Sequence, residues 1–168
     1  MKSRDLFRWY ALVIVVTAGL SVGAASLGAH LIYNATDSLP RGWYWLTPGQ
    51  TIRRHFLVAF PIPPNVHTLV HERRYLPDDA LLVKPVVAVQ GDDICTDRGV
   101  FTVNGNVIGD ILERDFAGRE LPHADACRSV REGEVFVAST NPRSFDSRTF
   151  GSIPVSAIRG AVRSLWTY

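Results

Sequence analysis

From Trp9 to Ala29 the chain carries no charged residue, a run as long as the ~20 residues that cross a bilayer as a helix. Its first half is strongly apolar. Its second half, from Gly19, is rich in Gly, Ala and Ser, a composition that lets one membrane helix pack closely on another. Lys2, Arg4 and Arg8 precede it, and such a basic flank keeps an N terminus in the cytoplasm. The expectation is a cytoplasmic tip over 1–8, a single transmembrane helix over 9–30 and an external domain over 31–168. A cleavable signal peptide is the alternative, because Gly23, Ala25, Gly28 and Ala29 offer a processing site; the length of the uncharged run favours an uncleaved anchor.

The formal net charge of +2 resides in that tip, since Lys2, Arg4 and Arg8 outnumber Asp5 and the rest is balanced. No basic face remains for nucleic acid. The two cysteines, Cys95 and Cys127, read as one disulfide in an exported domain. Closing that loop would remove about 3–4 kcal/mol of unfolded-chain entropy. Two separate buried thiols are the alternative. His67 and His71 stand four apart, but no third ligand accompanies them, so they read as solvated surface and no metal site is expected.

Past the anchor the chain is punctuated by Gly and Pro. A polar stretch from Tyr33 gives way to the aromatic Trp43-Tyr44-Trp45, which reads as an interfacial belt or as core. A short strand is expected over Phe56–Phe60 and a helix over Val66–Tyr75, capped by Asn65. Leu81–Val89 is a strand, with Gly91-Asp92-Asp93 turning out of it. Asn104-Gly105 between alternating residues predicts a type I′ hairpin over Phe101–Ile108. Arg114–Ser129 is polar and irregular, and Glu134–Ala138 and Ala157–Trp166 read as closing strands. Arg53, Arg54, Arg73 and Arg74 read as solvated charges. The fold class is mostly β: a β-domain with one small helix behind a membrane anchor.

Two residue choices point to chemistry. Only Lys2 and Lys84 are lysines, and Lys84 lies within the apolar run Ala80–Val89. Arginine stays protonated in proteins, whereas a desolvated lysine becomes a base near neutral pH. The bland alternative is a lysine that snorkels its ammonium to water. The candidate nucleophile is Ser38, in Asn34-Ala-Thr-Asp-Ser-Leu-Pro-Arg-Gly-Trp-Tyr44. Pro40 restricts Leu39 to extended geometry, so the hydroxyl is presented from a fixed backbone. Thr36 could aim a second hydroxyl at a developing oxyanion. Alone, such a cluster is also an ordinary turn.

Together these segments resemble type I signal peptidases. Ser38-Leu39-Pro40, then Lys84 with Val86 and Gly91-Asp92, then Ser144-Phe-Asp-Ser-Arg148 with Phe150-Gly151, follow that family's order. More closely, Asn34-x-Thr36-x-Ser38-Leu-Pro-x-Gly42-x-Tyr44, the Leu-Leu-Val-Lys84 segment and the spaced cysteines resemble the conjugative-transfer peptidases of the TraF family. The resemblance runs from Asn34 to Gly160 and is poor from Gly109 to Arg131. It departs from signal peptidases in the direct Leu39-Pro40 junction, in Pro85, and in Ser139-Thr-Asn-Pro-Arg143 where Gly-Asp-Asn is common.

The resemblance implies a signal-peptidase-like serine endopeptidase with Ser38 as nucleophile and neutral Lys84 as general base. Thr36 would assist the oxyanion, Ser144 would orient the amine, and Asp146 with Arg148 would support the site as an ion pair. No cofactor is expected. The implied setting is the bacterial inner membrane with a periplasmic catalytic domain. The implied partners are a pilin precursor or other exported preprotein, membrane lipid, and conjugation or type IV secretion components. A general signal peptidase and a non-catalytic assembly factor are the rival readings.

Overall fold

The computed structural model describes residues 12–17, 30–123 and 127–168. Residues 12–17 are helical, and residues 9–11 and 18–29 of the expected anchor over 9–30 lie outside the described residues. Among the described residues no helix is long and apolar enough to cross a membrane.

The domain is mostly β, as its short Gly- and Pro-bounded apolar runs require. Seven strands form the main sheet: β1 (Leu31–Asn34), β2 (Gly42–Thr47), β3 (Leu57–Pro61), β4 (Leu81–Ala88), β9 (Glu134–Val137), β10 (Ile153–Pro154) and β11 (Gly160–Thr167). Their order is β1-β2-β11-β3-β4-β9-β10, so the last long strand is inserted between β2 and β3. A second sheet, in the order β7-β6-β5-β8, comprises β5 (Asp93–Asp97), β6 (Val100–Val103), β7 (Asn106–Asp110) and β8 (Cys127–Ser129). Helix α1 (Pro64–Arg73), the single turn α2 (Ser147–Phe150) and a 3-10 turn at Val155–Ala157 complete the described helices of the domain.

Three apolar clusters hold these layers. Val58, Phe60, Leu82 and Val86 pack with Val66 and Val70 of α1 on one face of the main sheet. Tyr44, Leu46, Ala59, Val83 and Val162 fill another, with Leu39 against them. Phe101 stacks on Phe136 at 6.0 Å, where the small sheet meets β4 and β9. Burying one such large side chain contributes roughly 1.5–3 kcal/mol.

Several local expectations are corrected. Helix α1 begins at Pro64, whose fixed φ and missing N–H suit a first helical position. Asn65 therefore lies inside the helix, and its amide donates to the Phe150 carbonyl at 2.9 Å. The stretch Arg114–Ser129 is not wholly irregular, since β8 pairs with β5 and Cys95 sits directly opposite Cys127, bonded as a disulfide. Arg54 pairs with Asp92, and Arg73 with Asp115, so neither is a free surface charge. The aromatic triplet divides by strand alternation, with Tyr44 in the core and Trp43 exposed. The Asn104-Gly105 hairpin forms with positive φ at both residues, as a type I′ turn demands.

Gly42 shows how tightly β2 and β11 meet. Its φ is +140°, and a Cβ there would lie 2.2 Å from the Trp166 carbonyl oxygen. Gly42→Ala is expected to destabilise the domain by about 2–4 kcal/mol through backbone strain and collision. Chemical unfolding of the detergent-solubilised protein would measure it; an unchanged midpoint would show that the strands can part at no cost.

Candidate active site

Lys84 stands on the α1 face of β4, with Leu82 and Val86 on either side and Val58 opposite on β3. This placement leaves it 3% exposed. Burial pushes its ammonium down from 10.5 to about 8; Asp146 opposes that shift and Arg148 reinforces it. The amine donates to Ser144 Oγ at 3.0 Å. It is thus desolvated and oriented, and among the described residues no carboxylate bonds directly to it. Such a lysine reaches its neutral, basic form near physiological pH.

The loop behind Ser144 is held by a buried ion pair. Asp146 and Arg148 have side chains 0% and 3% exposed. Arg148 Nε and Nη2 donate to the two Asp146 oxygens at 2.9 and 2.8 Å. Nη2 also donates to the Asn141 carbonyl at 2.8 Å. Asp146 caps α2 by accepting from the Arg148 N–H, and its Oδ2 accepts from the Ser139 N–H at 3.1 Å. The surface pair that Asp-Ser-Arg would form in an ordinary turn is here an internal brace. Gly109 gives the guanidinium room, because a Cβ there would lie 2.8 Å from Nη1.

Ser38 lies in the β1–β2 loop, at a pocket of about 440 Å³ that Thr140, Asn141 and Tyr168 also line. Its Oγ is 3.1 Å from Thr36 Oγ1. Among the described residues no hydrogen bond joins Ser38 to Lys84; their elements meet through the 139–146 loop. That loop gives Ser144 to Lys84, and Asn141 Nδ2 to the Asp37 carbonyl at 3.1 Å.

The reading of the residues missed what closes the Ser38 loop. Asn34, 7% exposed, donates through Nδ2 to the carbonyls of Thr36, Leu39 and Pro40 at 3.0, 3.1 and 3.3 Å. Its Oδ1 accepts from Thr36 N at 3.2 Å and Thr36 Oγ1 at 2.8 Å. Tyr44 adds a hydroxyl bond of 2.7 Å to the Pro40 carbonyl. The signal was present, because Asn34, Gly42 and Tyr44 all stand in the motif that carried the resemblance. His71 pairs with Asp78 at 2.9 Å. Among the described residues no group of three or more His, Cys, Asp or Glu side chains could hold a metal ion.

Residues 3–167 match the family model described as signal peptidase, peptidase S26. The chain belongs to the signal peptidase S26 family. Membership makes it a peptidase by descent, and the match covers the uncharged N-terminal run as well as the β-domain. The chain is also 28% identical to the plasmid transfer protein TraF of Escherichia coli, over 99% of each sequence. A solved signal peptidase I from Enterococcus faecalis is 21% identical, with 67% of this chain and 97% of that one aligned at a TM-score of 0.40. That score is too low to add weight to the assignment.

Proposed function

We propose that this S26 peptidase is a single-pass serine endopeptidase of the bacterial inner membrane, with a periplasmic catalytic domain and a Ser38/Lys84 dyad. The observation that carries the reading is Lys84 itself, a 3%-exposed amine pushed down to about 8 and held on Ser144. In the reaction Ser38 Oγ bonds to the scissile carbonyl carbon as its proton passes to Lys84 Nζ. The backbone N–H of Ser38 would face the oxyanion, with the Thr36 hydroxyl beside it bonded to Asn34. The C–N bond then breaks, and the leaving amine takes the proton from Lys84. Water releases the acyl group from Ser38 as an acid, or the substrate's own amine displaces it and closes a ring.

The full-length likeness to a plasmid transfer protein supports a pilin precursor of a conjugation or type IV secretion system as substrate. Membrane seating is supported by the outer face of β1, β2 and β11. There Tyr33, Trp43, Trp166 and Tyr168 are exposed, with Tyr33 and Trp43 rings 5.0 Å apart and the two tyrosine hydroxyls 2.7 Å apart. Amphipathic aromatic groups of this kind favour the head-group region of a bilayer. The first of them, Tyr33, stands four residues after the uncharged run ends at Ala29.

The test co-expresses a pilin precursor with wild type, Ser38→Ala or Lys84→Arg and reads the product by intact mass. Both variants are expected to remain in the membrane and leave the precursor uncut. A product lighter than the linear form by one water would mean cyclisation. Equal processing of an ordinary secretory preprotein would mean a general signal peptidase, and full processing by either variant would refute the dyad.

A further inference from the structure

We propose that Asn34 is a positioning residue that fixes the Ser38 hydroxyl through Thr36, an assignment that rests on Ser38 being the nucleophile. The directions of the hydrogen bonds follow from elementary donor chemistry. A backbone N–H only donates, so the Asn34 atom 3.2 Å from Thr36 N is the carbonyl oxygen. The amide nitrogen then faces three carbonyls, which only accept. This orientation leaves no consistent alternative. The Asn34 carbonyl oxygen cannot donate, so the 2.8 Å contact with Thr36 Oγ1 is filled by the threonine proton. Thr36 Oγ1 has then spent its only proton. The 3.1 Å contact between the two hydroxyls must be filled by the Ser38 proton.

A directed chain results, from Ser38 to Thr36 to Asn34. It sets the Ser38 side chain against its own loop, and the same amide ties down the carbonyls of Thr36, Leu39 and Pro40. Tyr44 and Asn141 secure the loop at Pro40 and Asp37 from outside, but neither touches a hydroxyl of the chain. Among the described residues Asn34 alone couples the backbone of the loop to the orientation of its reactive group. Because Asn34 sits 7% exposed, water cannot readily replace it. With Tyr44 and Asn141 still holding the loop at Pro40 and Asp37, the loss of Asn34 would free Thr36 and Ser38 to reorient. Such a fault lowers turnover more than it weakens substrate binding.

The experiment uses the full-length chain reconstituted in phospholipid vesicles and a quenched-fluorescence peptide with Ala-Ala at its scissile bond. We expect Asn34→Ala and Thr36→Val each to lower kcat about tenfold or more, with KM within about twofold. In the double variant the losses should not multiply, since both break one chain. Thr36→Ser, which keeps the hydroxyl, should recover most of the rate lost in Thr36→Val. Losses that multiply, or a raised KM at constant kcat, would overturn the proposal. If Asn34→Ala does not accumulate, Asn34→Ser takes its place in the same cycle: losses that do not multiply with Thr36→Val uphold the proposal, and losses that multiply overturn it. Ser38→Ala separates the two assignments. Turnover surviving in it removes the nucleophile and this proposal together, whereas a dead Ser38→Ala beside a normal Asn34→Ala removes only the role of Asn34.

Discussion

Lys84→Met should abolish turnover and, at neutral pH, make the protein harder to unfold. The two effects have one cause. Lys84 is 3% exposed, and burial brings its ammonium down from 10.5 to about 8. At pH 7 the folded state therefore holds a charge in a site that disfavours it, by roughly 3 kcal/mol relative to the unfolded chain. Methionine fills a similar volume without the charge, and such replacements of buried ions often stabilise by about 1–4 kcal/mol. The Asp146 carboxylate nearby offsets part of the gain, so about 2 kcal/mol is the expected increase. Turnover should fall by about 10²–10⁴-fold, the usual contribution of a general base.

The sign of the pH dependence is fixed by the same shift. Below about pH 8 both folded and unfolded chains hold the Lys84 proton, and its titration contributes no slope. Between about 8 and 10.5 the unfolded chain keeps a proton that the folded one has released. Unfolding free energy therefore rises with pH across that window and levels off above it. Urea unfolding of wild type and Lys84→Met at several pH values would measure this. If the slope between pH 8 and 10.5 is the same in both proteins, Lys84 is not desolvated in the folded state. Activity should rise through a limb near pH 8; a limb found only near 10.5 would carry the same message.

The lysine could be read from the sequence because all the other residues in the run around it are apolar. A single charge within Ala80–Val89 has no polar face to occupy, and β4 duly buries it. Asn104-Gly105 was equally legible, since two consecutive positive φ angles demand those residues. Other features depend on contacts distant in sequence. Strand β8 has three residues in a polar stretch and exists through its pairing to β5 and the disulfide. Asn65 has the composition of a cap, but Pro64 had already set the helix start. Asn34 precedes a turn and looks like a solvated polar residue. Only its burial, with five contacts converging on one amide, shows what it does. Asp146-Ser147-Arg148 gives no local hint of burial, because the segment's environment comes from Asn141, Ser139 and Gly109.

That brace makes the second large effect. Asp146→Ala leaves the Arg148 guanidinium buried without its anion and removes the cap of α2. A buried charge stranded in this way costs about 3–5 kcal/mol, a large part of the stability of a domain of this size. Arg148→Met strands Asp146 less severely, since the carboxylate keeps the N–H groups of Ser139 and Arg148. Removing both charges should be milder than removing Asp146 alone, because no uncompensated ion remains. The two single variants also act oppositely on the base. Asp146 raises the Lys84 pKa and Arg148 lowers it, so losing the arginine moves the activity limb to higher pH and losing the aspartate moves it lower. Asp146→Asn, which keeps the shape of the cap, is the variant for that measurement. Rate profiles of Arg148→Met and Asp146→Asn on the same substrate would show the two limbs displaced to opposite sides of wild type. Displacement in one direction by both would mean that the pair reaches the lysine only through loop geometry and not through its charges.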